Sequence, residues 1–236
     1  MKNLKISVFA IAFLSIMASC NRGNIHRPEI TAEEAVEIIT SAVQNATDGL
    51  SEELSDIAQQ VSGTIEDNFE CGVTVDSSFT KTLSKPRLSA DYQVAWEWTP
   101  TCNDLGNMIE LDFSSNETGS YEGLRSSGQE SKSLTFTITG MQNLATELTF
   151  DGNTTNQGTQ TVTVQETKEL NSTLNMAVTG LIVDKGDNEI TSGLINFTLD
   201  VTTSGGDEAN FTGSIEFHGN RDATVIINGE TYEIDL

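Results

Sequence analysis

Apolar residues recur every three or four positions over residues 31–62, and this spacing predicts amphipathic helix. Thr31 and Glu34 match a capping box, in which the Thr side chain caps the helix and the Glu side chain reaches back to the cap backbone. The apolar stripe is interrupted at Gly49, so we expect either two consecutive helices or one helix bent there. A stripe of this kind most often packs on a sheet of its own domain.

Over residues 63–236 the apolar spacing changes to two, which is typical of strands with one buried face. The clearest strand covers residues 88–98, and its apolar face is expected to hold Leu88, Ala90, Tyr92, Val94, Trp96 and Trp98. Asn228-Gly229 predicts a two-residue type I′ hairpin. Further turns are expected at Asn116, Asp151-Gly152-Asn153, Lys185-Gly186-Asp187, Gly205-Gly206 and Gly219-Asn220.

Short connections between these segments make neighbouring strands antiparallel. About ten to twelve successive strands are too many for one flat open sheet. We therefore predict an α+β fold in which two N-terminal helices pack on a long curled antiparallel meander: a half-barrel, a barrel or a two-layer sheet. In layout this is similar to the helix-covered half-barrels that carry lipids between membranes, and the similarity is one of layout alone.

The aromatic face of the strand at residues 88–98 has two interpretations. If the interior of the curled sheet is filled, Tyr92, Val94, Trp96 and Trp98 are core residues, which is the commoner role of such a face. If the interior is hollow, the same four side chains line a pocket for an apolar ligand. The alternation of residues is the same in both cases, so the two interpretations stay open.

The first 20 residues have the pattern of a short secretory signal. Lys2 and Lys5 precede an apolar run over residues 6–17, which is shorter than the roughly 20 residues that cross a bilayer. We therefore expect residues 1–19 to be a signal peptide that is removed on export.

The end of this signal, Met17-Ala18-Ser19-Cys20, resembles the lipobox of bacterial lipoproteins. The resemblance implies cleavage before Cys20, attachment of acyl chains to Cys20 through a thioether, and a tether over residues 20–30. Asn21 stands where enteric lipoproteins carry the Asp that retains them at the inner membrane. The resemblance therefore implies an outer-membrane protein, facing either the periplasm or the cell surface.

Acidic residues greatly outnumber basic ones. The chain has 35 Asp and Glu against 12 Lys and Arg, a net charge of −23, and loss of the two lysines of the signal brings it to −25. Such a charge repels phosphate backbones and anionic head groups, which excludes nucleic acid as a partner and leaves the lipid as the expected membrane attachment. The acids are scattered, which favours a role in solubility over a site for cationic partners.

Besides Cys20, the chain contains two cysteines, Cys71 and Cys102. An exported chain enters an oxidising compartment, where such a pair is expected to form a disulfide. The midpoint between the two cysteines falls on the turn signal at Pro86, so a hairpin that reverses there brings them together at its open end. A redox or metal pair is less favoured because there is no CxxC motif and no nearby histidine.

The mature chain carries no recognisable catalytic signature. HExxH, GxSxG, GxGxxG and Walker motifs are absent, and the histidines are limited to His26 and His218. Glu110 and Asp112 share a strand face, but acid pairs arise by chance in a chain this acidic. The oxygen-rich segments 151–156 and 184–189 suit ordinary turns better than calcium sites. We expect no enzymatic activity, no cofactor and no metal site.

Two functions from different classes remain. The first is a non-enzymatic module that binds a lipid or another apolar ligand inside the curled sheet. The second is a structural or interaction protein of the envelope, whose outer face, rich in Thr and Asn, contacts glycan or protein partners. Whether the face of Tyr92, Trp96 and Trp98 is packed or hollow distinguishes the two.

Overall fold

The computed structural model describes residues 30–44, 48–66, 70–86, 88–142, 144–163 and 167–236, with backbone only for 62–66. The predicted signal peptide, Cys20 and most of the predicted tether lie outside these residues. Among the helices within them, none has the length and apolar character needed to cross a membrane.

Two helices precede the sheet, as the apolar stripe predicted. Helix α1 runs over Ala32–Val43 and helix α2 over Leu50–Glu66. The capping box is present: the Glu34 amide donates to Thr31 Oγ1 at 3.2 Å, and the Thr31 amide donates to a Glu34 carboxylate oxygen at 2.9 Å. Asp48 adopts a positive φ of 59° immediately before α2, so the helices are separate and not one bent helix.

The described remainder of the chain forms one antiparallel sheet in which the strands follow in chain order. This confirms the predicted α+β fold with a β-meander. The strands are β1 Val75–Lys85, β2 Leu88–Cys102, β3 Met108–Gly123, β4 Ser126–Thr139, β5 Glu147–Thr163, β6 Thr167–Asp184, β7 Ile190–Thr203, β8 Glu208–Gly219, β9 Asp222–Ile227 and β10 Glu230–Asp235. The edge strands β1 and β10 do not pair, so the sheet is open.

The sheet curls around the helices. Ten strands spaced ~4.8 Å apart span about 43 Å when flat, whereas two packed helices cover only about 20 Å. Even so, α2 reaches the first edge strand, where Lys81 contacts Asp56 at 3.0 Å. At the other edge, the side-chain amide of Gln44, which follows α1, donates to the Asp235 carbonyl oxygen of β10. Because the two helices also contact each other, both edges must bend toward them.

Two of the predicted turns are wrong. Asn116 lies inside β3, where it pairs with Ala95 and Ser133, and residues 151–153 lie inside β5. Gly152 is there because a Cβ at this position would sit 2.0 Å from the Thr135 carbonyl oxygen. The glycine thus permits close strand packing within a bulged strand.

The other turn signals do mark chain reversals. The segments around residues 185–187, 205–206 and 219–220 connect successive strands, and Asn228-Gly229 joins β9 to β10 as predicted. The hairpin β1–β2 reverses at Pro86, and Cys71 forms the predicted disulfide with Cys102, with 5.7 Å between their Cα atoms.

Candidate functional site

The interior of the curled sheet is largely filled. Buried side chains of both helices and of β3–β10 form one continuous core in the described part of the chain. The four aromatic-face residues lie near the edge of this core. Tyr92 and Val94 are buried in a small separate cluster with Ala90, and Trp96 and Trp98 are half-buried against the main core.

These four residues do not share one pocket. Val94 and Trp96 line a cleft between α2 and strands β1–β4, which we call the α2 cleft. Tyr92 lies deeper, where its hydroxyl donates to a Glu130 carboxylate oxygen at 2.6 Å. Trp98 borders a separate groove together with Phe113. A single pocket formed by all four side chains is therefore not present in the described residues.

The α2 cleft has a volume of about 160 Å³. Its walls are mostly apolar, and the Trp96 ring stacks on Phe113 with 6.3 Å between their centroids. The rim carries Phe79, which is 44 % exposed on the edge strand β1. The lining residues are Glu53, Asp56, Ile57, Gln60, Phe79, Lys81, Val94, Trp96, Phe113, Ser115, Glu117 and Leu134.

Beneath the cleft, a lysine is buried among carboxylates. Lys132 of β4 donates to a Glu53 carboxylate oxygen and to the Asp48 carbonyl oxygen, both at 3.0 Å, and its Nζ lies 3.6 Å from Glu130. The same ammonium lies 5.0 Å from the centroid of the Tyr92 ring. A buried ammonium requires such contacts with carboxylate and carbonyl oxygens, because the transfer of a charge out of water is very unfavourable.

A second lysine closes the cluster from the edge strand. Lys81 Nζ lies 3.0 Å from carboxylate oxygens of both Asp48 and Asp56. Burial alone lowers the pKa of Lys81, but the Asp48 charge and then the Asp56 charge outweigh it, so the pKa is raised. For Lys132 too, burial lowers the pKa, and the Glu53 and Glu130 charges raise it well above its usual value. Both lysines are therefore held as cations.

In two polar side chains of the cleft, one oxygen atom each has no hydrogen-bond partner in the described part of the chain. Ser115 and Glu117 lie two residues apart on the same face of β3, with 5 % and 6 % of their surface exposed. Ser115 Oγ and Glu117 Oε2 have no hydrogen-bond partner among the described residues. Burial raises the pKa of Glu117 to about 7, with a further contribution from the nearby Glu53 charge.

The sequence reasoning missed Ser115, Glu117 and Lys132. In β3 the apolar alternation ends at Phe113, and Asn116, which follows shortly after, is a residue type typical of turns. Had the period of two been continued through Asn116, Ser115 and Glu117 would have appeared as polar residues at inward positions. The signal for the site is therefore the presence of polar residues at inward positions of a continuous strand.

A second, smaller cavity of about 30 Å³ lies between α1 and strands β3–β6. Its polar groups bond to one another: Tyr121 donates to Gln160 at 3.0 Å, Gln160 to Ser172 at 2.8 Å, and Asn156 to Glu130 at 3.0 Å. A volume of this size holds about one water molecule. Its side chains therefore form a structural network.

The face opposite the helices carries a broad polar depression of about 790 Å³ over β2–β6. Neighbouring side chains on this face hydrogen-bond across the strands, as Thr159 does to Asn171 at 2.7 Å. The residues lining the depression include Asp91, Gln93, Thr118, Ser120, Ser131, Thr159 and Asn171.

Among the other groups considered in the sequence, His218, Asp112 and Asp184 have local partners. His218 Nε2 lies 2.8 Å from Thr224 Oγ1, and Thr137 donates to Asp112 at 3.1 Å. In the segment 184–189, Asp184 accepts from the Gly186 amide at 2.6 Å, as an Asx turn does. Within the described ranges, no three His, Cys, Asp or Glu side chains form a group suited to a metal ion.

Comparison of the chain with protein-family models, with curated proteins and with solved structures finds no match. The function is therefore argued from the α2 cleft and its surroundings.

Proposed function

We propose that this protein is a lipid-anchored envelope protein that binds a small apolar ligand, or one apolar end of a larger ligand, in the α2 cleft. The observation that carries the proposal is the cleft itself, a concave site of about 160 Å³ whose walls include Val94, Trp96 and Phe113. Ligand sites are mostly apolar with a few fixed polar groups, and Ser115 and Glu117 supply such groups here.

The volume of the cleft limits the size of the ligand that can bind in it. A dry cavity of about 150 Å³ accommodates one benzene molecule, whereas drug-sized ligands occupy about 300–1,000 Å³. A whole lipid is too large for the cleft. The matching ligand has a six-carbon ring or a short alkyl segment, and any larger remainder lies outside the rim at Phe79.

Binding is tested by titrating the mature protein with hexanol and following Trp96 fluorescence in a Trp98→Phe background. Saturable quenching or a spectral shift is expected because Trp96 lines the cleft. Phe79→Ala should weaken binding by about tenfold through the loss of apolar contact area. Val75→Ala is the control, since Val75 is similarly exposed on the same strand but does not line the cleft. Equal effects of the two variants, or no saturable binding, would contradict the proposal.

The proposed location rests on the lipobox-like ending at Cys20. Acylation with more than one chain is sufficient for stable anchoring without a protein span. Expression of the full chain in a Gram-negative host with an alkyne-bearing palmitate analogue should label the wild-type protein in the outer-membrane fraction. Cys20→Ser should abolish both the label and the membrane attachment. A variant that stays membrane-bound would exclude anchoring by this residue.

A structural or interaction role is the second candidate, and the polar depression on the face opposite the helices favours it. The depression has a volume of about 790 Å³, and the Thr, Asn and Gln side chains that line it are suited to hydrogen-bonding a glycan. Titration with maltohexaose and cellohexaose, followed by amide shifts in NMR spectra, tests this role. Shifts confined to Gln93, Thr159 and Asn171 would support it, and unchanged spectra with both sugars would count against it.

A further inference from the structure

We propose that the ligand of the α2 cleft carries a cationic amine, which is bound by Glu117 and Ser115 while its apolar part packs on Trp96. This inference rests on the proposed function, because it names the chemical class of ligand for the same cleft.

The first argument is the pair of unpartnered groups. Ser115 and Glu117 line the cleft from adjacent inward positions of β3, and both are more than nine-tenths buried. A buried polar atom without a hydrogen bond is unfavourable, so such atoms usually meet a partner. A protonated amine supplies several donors at once, and Ser115 Oγ and Glu117 Oε2 are both acceptors.

The second argument is the balance of charge around the cleft. The described charges that act on Glu117 are Asp48 before α2, Glu53 on α2, Lys81 on β1 and Lys132 on β4. Asp56 and Glu130 are further partners of the two lysines. Each lysine already contacts two carboxylates, so neither is available for an anionic ligand. The carboxylates exceed the lysines, which makes the cleft unfavourable for a fatty acid and favourable for a cation.

The third argument is the aromatic wall. Trp96 and Phe113 stack beside the polar pair, and Phe79 stands at the rim. Aromatic faces attract cations when ammonium and ring are partly removed from water. Apolar area and a cation site therefore occur together in one cleft, and an alkylamine or arylalkylamine matches both.

The test compares hexylamine, hexanol and hexanoate by calorimetry on the mature protein at pH 8. Hexylamine should bind about tenfold more tightly than hexanol, because a charge-assisted hydrogen bond replaces an unpartnered acceptor. Hexanoate should bind more weakly than hexanol. If hexanol binds and hexylamine binds no better, the inference is wrong while the proposed function stands. If none of the three binds, both fail.

Two variants and a pH series locate the contact. Glu117→Gln should reduce hexylamine affinity to that of hexanol, and Glu122→Gln, an exposed acid on the same strand, should leave it unchanged. In the unmodified protein, hexylamine affinity should rise from pH 6 to pH 8 as Glu117 loses its proton, because the amine stays charged up to about pH 10. Hexanol affinity should stay constant. A flat hexylamine profile would overturn the assignment of Glu117 even if the variant failed to fold.

Discussion

Glu117 of β3 lies directly opposite Lys132 of β4 in the strand register, yet the Lys132 ammonium donates to Glu53 of α2. A cross-strand pair of opposite charges is normally the nearest ion pair available. Here the lysine instead joins the sheet to the helix, and Glu117 Oε2 is left without a hydrogen bond. The bond from Lys132 to Glu53 therefore explains both the anchoring of α2 and the open carboxylate in the cleft.

Replacing Lys132 with Met should strongly destabilise the fold. Removal of one partner of a buried ion pair leaves the others uncompensated, at a cost of about 3–5 kcal/mol. Glu53 is the residue most affected, since the lysine lies 3.0 Å from its carboxylate. Urea unfolding of Lys132→Met measures the loss. The double variant with Glu53→Gln should recover part of it, and additive effects would show that the two residues are not coupled.

Stability should fall as the pH rises from 4.5 to 7. Burial raises the pKa of Glu117 from 4.5 to about 7, so in this window the unfolded carboxyl is ionised while the folded one keeps its proton. Folding then takes up a proton at Glu117. The stabilisation that this proton uptake gives the fold is lost as the pH rises through the folded pKa. The resulting decrease in the free energy of unfolding is about 3 kcal/mol for Glu117. Burial also raises the pKa of Glu53, so its contribution to the free energy of unfolding falls with pH as well.

Unfolding in urea at a series of pH values measures this dependence. Glu117→Gln should make the slope shallower, because glutamine does not titrate. Exposed Glu122 on the same strand supplies the control variant Glu122→Gln, which should keep the wild-type slope. An equal slope in the wild type and in Glu117→Gln would show that Glu117 is ionised over this pH range in the folded protein, as it is in the unfolded one.

The helices, the meander and the disulfide were predictable because each has a local signal. Thr31 and Glu34 fix the start of α1, apolar alternation marks the strands, and Pro86 centres the hairpin that brings Cys71 to Cys102. These features depend on residues close in sequence or on one simple reversal of the chain.

The site was not predictable in the same way. Lys132 and Glu53 are separated by 79 residues, and their contact depends on how α2 lies over the curled sheet. Asn116 added a false signal, because its turn propensity is weaker than the pairing of two neighbouring strands. Local propensity therefore failed where tertiary packing places polar groups in the interior.

Gly119→Ala should destabilise the sheet at the strand beside Tyr92. A Cβ at this position would lie 2.2 Å from the Asp91 carbonyl oxygen and 2.5 Å from Cδ1 of the Tyr92 ring. The backbone atom cannot yield as a flexible side chain does, so the strands must separate, at a cost of about 1–3 kcal/mol. Thermal unfolding measures the effect. Ser120→Ala, at the exposed neighbouring position, should change the stability little. A fully stable Gly119→Ala protein would mean that the strands separate there without cost.

Removing the disulfide should weaken the β1–β2 hairpin and with it one wall of the α2 cleft. Cys71 and Cys102 are 31 residues apart, and closing a loop of this length stabilises a fold by about 3–4 kcal/mol on the chain-entropy model. In the double variant Cys71→Ala, Cys102→Ala, the free energy of unfolding measured in urea should be lower by that amount. The double variant should also bind hexanol more weakly, because Phe79 and Trp96 lie on the two strands whose open end the disulfide joins. Wild-type protein under reducing conditions should match the variant. Unchanged stability in both would show that the hairpin is held by strand pairing alone.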